Sequence, residues 1–157
     1  MAEQIKVREL LFSEILDKVH GAKNKKDKIK ILQDENCMAL RQVLIWAFDP
    51  NITSALPSGT PPYVENDAPE GTEHMLLRAE GDKLWHFVKV GANLADPNLQ
   101  QTVRERMFIR LLEGLHKDEA ELLCFVKDKI VHQQYKGCSK DVIKEAFELN
   151  EEFKESK

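Results

Sequence analysis

The chain has 157 residues, of which 42% are hydrophobic and 32% charged, and a formal net charge of −4. That length fits one ordinary domain able to bury a core, and the composition excludes a disordered chain. The acidic balance excludes a domain that coats nucleic acid non-specifically, because such domains carry a clear basic excess, although a local basic patch stays open.

Between Ile5 and Val19 the apolar residues recur at steps of three and four, which predicts a first helix with Gly21 as its stop. Asn24 caps a second helix that carries Ile29, Ile31 and Leu32 and ends near Asn36. A third, from Met38 to Phe48, is apolar nearly all round and reads as the central helix of the core. Asp49-Pro50 stops it, since a residue before proline is pushed out of the α region.

The stretch 49–72 has a different character. It holds Pro50, Pro57, Pro61, Pro62 and Pro69, five of the six prolines, together with Gly59 and Gly71. Such a run cannot be a regular helix and makes a poor central strand. Long loops of this kind inside a small domain are enriched in function.

Helical spacing resumes near Glu73, and Met75, Leu76, Leu77, Leu84, Trp85, Phe87 and Val88 predict one helix running through Gly81. Residues 91–97 form a turn-rich connection. Leu99, Val103, Met107, Phe108, Leu111, Leu112 and Leu115 mark the cleanest amphipathic helix. Asp118, with Glu121 as its capping-box partner, starts the next, which buries Leu122, Leu123, Phe125, Val126 and Ile130. Ser139 caps a last helix with Val142, Ile143, Ala146 and Phe147. The expected fold is all-α, an irregular bundle of about seven helices with one long Pro-rich loop. One domain spans 1–157, with a helical group over 5–48, the loop over 49–72 and a second helical group over 73–156.

Motifs for chemistry are missing from this sequence. It has no Gly-x-Ser-x-Gly, no phosphate-cradling glycine loop and no pair of histidines at helical spacing. Neither an enzymatic activity nor a metal or cofactor is expected. A site built from Cys124, His132 and Cys138 would need all three to converge, and each is more simply a core or surface residue. The acidic run 118–121 is explained by the helix dipole alone. Three cysteines, odd in number and scattered, read as free thiols in a reducing compartment. With no signal peptide visible and no apolar run long enough to span a bilayer, the expected location is the cytoplasm, without membrane contact.

Two surfaces stand out for binding. The Pro-rich loop mixes Tyr63 and Val64 with polar residues, and pre-extended proline segments lose little entropy on docking. Tyr63, Asn66, Asp67, Glu70, Glu73 and His74 are the candidate protein-binding residues; the opposing possibility is that the loop wraps the domain's own surface. The alternative is a nucleic-acid contact through Lys23, Lys25, Lys26, Lys28 and Lys30, within a stretch that carries +5 over residues 18–30. Arginine for bidentate recognition and aromatics for stacking are missing there, so a solvated face is the simpler explanation.

Five strings together resemble a known family. They are Lys26 to Leu32, Ala39-Leu40-Arg41, Trp46 to Pro50, Asn66 to His74, and Leu115 to Glu121. They are similar to an uncharacterised family of small helical proteins from contractile-tailed bacteriophages of marine bacteria, over roughly residues 10–148. The resemblance assigns no residue a role. It implies a viral protein in an infected bacterial cytoplasm, acting on a host or phage protein or as an accessory factor of replication or transcription.

Overall fold

A computed structural model describes residues 11–66 and 75–147. Within them lie helices α1 (Phe12–Gly21), α2 (Lys25–Asp34), α3 (Met38–Phe48), α4 (Gln101–Gly114), α5 (Lys117–Lys127), α6 (Val131–Gln134) and α7 (Lys140–Phe147). Two 3₁₀ helices, η1 (Leu77–Ala79) and η2 (Gly81–Phe87), and strands β1 (Ile52–Ser54), β2 (Val88–Val90) and β3 (Asn93–Leu94) complete the order.

The helix stripes predicted by spacing are buried as expected. Phe12, Ile15, Leu16 and Val19 of α1 are fully buried, as are Leu40, Val43 and Leu44 of α3. Central α3 touches α5, α7, η1, η2 and β1, while α2 lies between α1 and α7. Asn24 caps α2 as predicted, its Oδ1 accepting the Asp27 N–H at 2.9 Å. The start of α5 corrects the sequence expectation. His116 is the N-cap, its Nδ1 accepting the Asp118 N–H at 3.1 Å, in place of an Asp118–Glu121 box.

The fold is predominantly helical but not all-α. The helix predicted over 73–88 is instead η1, η2 and the start of a three-stranded antiparallel sheet of order β1-β2-β3. Spacing of three explains the difference. Gly81, Leu84 and Phe87 are buried on one side of η2, whereas Trp85 is 48% exposed. Gly81 sits so close to α3 that an added Cβ would stand 2.5 Å from the Ala39 Cβ. Beyond η2, Val88, Lys89 and Val90 pair with Ser54, Thr53 and Ile52.

Gly91 then turns the chain into β3. Its φ of +64° at the first position of a two-residue connection, followed by Ala92 outside the left-handed region, is the pattern of a type II′ hairpin. The Pro-rich loop thus contributes an edge strand, a place in a sheet where proline is tolerated.

Candidate interaction surface

The Pro-rich segment leaves α3 at Asp49, whose Oδ1 accepts the Asn51 N–H at 2.9 Å. From there it is tied to the helices at successive points. The charged run Lys127-Asp128-Lys129, at the end of α5, makes most of the early ties. Lys127, only 2% exposed in its side chain, donates from Nζ to Pro57 O at 2.8 Å and to Asp128 Oδ1 at 2.5 Å. Asp128 in turn accepts the Gly59 N–H at 3.2 Å on both oxygens. Ser54 Oγ, which accepts Trp46 Nε1–H at 2.9 Å, donates to Lys127 O.

Lys129 serves the exit of α3. Its ammonium donates to Trp46 O, a carbonyl at a helix end that needs a donor, and, at 3.0 Å, to Asp49 O, which also accepts the Ile52 N–H. Burial lowers its pKa to about 8, against the pull of Asp49. To reach that position Lys129 takes φ +60°, the left-handed region, at the C′ position of a Schellman motif. The motif's two bonds are present, Ile130 N–H to Phe125 O at 2.9 Å and Lys129 N–H to Val126 O at 3.0 Å.

Two opposed effects therefore meet at Lys129. Alanine there is expected to cost about 2 kcal/mol, one per lost hydrogen bond. Glycine loses the same bonds but relieves about 1 kcal/mol of backbone cost, so it should be the more stable variant by that margin. Urea melts of both variants measure the difference, and equal midpoints would show that the backbone at this position is unstrained.

Further along, Pro61 and Tyr63 turn inward while Pro62, Val64 and Glu65 face solvent. Tyr63 packs against the core, and burial pushes its pKa up to about 12. Val64 is 75% exposed, and its N–H bonds Glu113 Oε2 at 3.0 Å. Asn66 forms a parallel bridge with His116, and Met75 forms one with Leu115. The described ends on either side of 67–74 are thus held at the same α4–α5 junction. Of the predicted protein-binding residues, Tyr63 and Asn66 lie on this surface. Asp67, Glu70, Glu73 and His74 lie outside the described residues.

The predicted lysines are spread and partly neutralised. Lys25 pairs with Glu145 at 3.2 Å and Lys30 with Asp34 at 3.3 Å. Lys28 is half-buried near Cys138, whose pKa burial raises to about 12 against the opposing lysine charge. Lys23 and Lys26 are exposed. Cys124 and Cys138 are buried and His132 is exposed. Among the described residues no group of three or more His, Cys, Asp and Glu is placed to hold a metal ion, and no helix is long and apolar enough to cross a membrane.

Besides the buried Asp49 and Lys127, sequence reasoning missed two further buried charges. Arg104, 1% exposed, donates to His86 O, Asp96 O, Leu99 O and Gln101 Oε1. Asp96 Oδ2 lies 2.7 Å from His86 Nδ1, so the same clamp carries a His–Asp pair. Glu119, also 1% exposed, accepts the N–H groups of Phe12 and Leu77. Both stand on the apolar stripes of their helices, beside Phe108 and Leu111 or Leu123 and Val126, and that misplacement of a charge was the available signal.

No curated protein and no solved structure matches the chain. Residues 15–133 match the family of unknown function DUF6433, and the chain belongs to that family.

Proposed function

We propose that the chain is a non-enzymatic interaction protein that binds a host or viral protein through its Pro-rich segment, in the cytoplasm of a phage-infected bacterium. The observation that carries the binding role is the anchored, solvent-facing run at Pro62–Glu65, with Val64 75% exposed on backbone already tied to α4. A segment held in place before binding has little order left to lose. The phage setting rests on the sequence resemblance. Ion pairing of Lys25 and Lys30 leaves less free charge for a phosphate backbone, which favours a protein partner over nucleic acid.

A photo-crosslinking residue tests this reading. Placed at position 64 it should yield one discrete protein adduct in infected cells. Placed at exposed position 132 it should not. Identical adducts from both positions, or none from position 64, would remove the case for a partner at this surface.

A further inference from the structure

A cavity of about 230 Å³ lies between the Pro-rich segment and helices α4 and α5. Leu56 and Pro61 line it from the segment, Phe108 and Ile109 from α4, and Lys127 and Glu105 supply charged groups. Small-molecule sites usually run to roughly 300–1,000 Å³, so this space suits a single side chain with its peptide group better than a cofactor-sized molecule.

Lys127 decides the chemistry. An ammonium has three donors, and Lys127 spends two on Pro57 O and Asp128 Oδ1. The third has no protein acceptor among the described residues. Asp128 already balances the ammonium, and Glu105 adds negative charge at the same cavity, so an incoming anion would meet repulsion. A neutral acceptor would not. A backbone carbonyl is such an acceptor, and it comes attached to an apolar side chain in any polypeptide.

We infer that this cavity takes one aliphatic or aromatic side chain of a partner polypeptide, with that residue's backbone carbonyl accepting the remaining Lys127 proton. The inference rests on the interaction role proposed above and names the partner's contact chemistry.

Blocked amino acids serve as probes that need no knowledge of the partner. N-acetyl-leucinamide, N-acetyl-phenylalaninamide and N-acetyl-glycinamide are titrated into the full chain at millimolar concentration and followed by proton–nitrogen correlation spectra. The leucine and phenylalanine amides should shift Gly59, Thr60, Ile109 and Lys127 saturably, and the glycine amide should not. Ile109→Trp, which fills the space from a half-exposed position, should abolish the shifts. Lys127→Met should weaken binding about 5- to 10-fold, the worth of one hydrogen bond; if that variant does not fold, the tryptophan variant still decides.

Absence of saturable shifts, or equal shifts from the glycine amide, overturns the inference. Tighter binding of free N-acetyl-leucine would assign the cavity to an anionic small molecule, and shifts at these residues on simple dilution would assign it to a second copy of the chain; either overturns it too. The interaction role is judged separately. If Ile109→Trp loses the amides but keeps the adduct from position 64, the cavity assignment fails and the role stands. Amide binding without any adduct removes the role, and the polypeptide assignment with it.

Discussion

Replacing Arg104 by alanine is expected to lower stability by about 3–5 kcal/mol, among the largest effects of any single substitution in the chain. The guanidinium is 1% exposed and reaches its acceptors at 2.6–3.1 Å. Three of those acceptors are backbone carbonyls, of His86, Asp96 and Leu99, at the end of η2 and in the turn before α4. Removing the side chain strands the His86 and Leu99 carbonyls beside a hydrophobic interior, where an unsatisfied polar group costs about 1–3 kcal/mol, while Asp96 O keeps the Leu99 N–H at 3.4 Å. Gln101 is exposed and can turn to water, so its loss adds little.

Lysine at position 104 keeps the charge but replaces a planar fork with one nitrogen, which cannot span acceptors spread over residues 86–101. It should recover no more than about half of the loss. Urea unfolding of the two variants measures both numbers. A loss below about 1 kcal/mol for alanine would show that water replaces the guanidinium and that the clamp is not what fixes the turn.

The helices were legible in the sequence because each buries one face, and burial of a face leaves a stripe. Phe12, Ile15, Leu16 and Val19 show it plainly. In the α4 stripe Phe108, Leu111, Leu112 and Leu115 are buried as read, whereas Val103 and Met107 are only half-buried. The stripe continues through Arg104, and a charge there looks like a break until its distant carbonyls are known. The region 77–90 failed for another reason. Gly81, Leu84 and Phe87 repeat at three, and over seven residues a period of three is nearly indistinguishable from 3.6.

At the candidate surface, composition marked the loop but not its anchors. Lys127, Asp128 and Lys129 look like ordinary solvated charges at a helix end, because their partners at positions 46–59 are some 70–80 residues away in sequence. The wrapping of the segment and its outward face at Val64 coexist. Inward residues such as Tyr63 fix the segment, and fixing it is what leaves Val64 presented.

Glu119 should give the second large effect, with a pH signature of its own. Its carboxylate accepts Phe12 N–H at 2.7 Å, the first free donor of α1, and Leu77 N–H at 3.0 Å, the first residue of η1. It sits at the third position of α5, where a glutamate ordinarily folds back onto its own helix cap; here it joins three elements instead. Alanine leaves both donors buried without a partner and should cost about 2–4 kcal/mol. Burial raises the pKa of this carboxyl, against the two N–H bonds and the nearby His116 and Arg78 charges, which lower it. A folded-state pKa above the unfolded value of about 4.3 means that the native state holds the proton longer. The contribution of Glu119 is then fully present below the unfolded pKa and declines as pH rises through the folded one. Glutamine cannot ionise and keeps one acceptor oxygen. The difference in stability between wild type and Glu119→Gln should therefore shift against wild type as pH rises from about 4 towards neutrality. Melts across that range supply the test, and a difference that stays constant or moves in wild type's favour would mean that the two backbone N–H groups outweigh desolvation at this site.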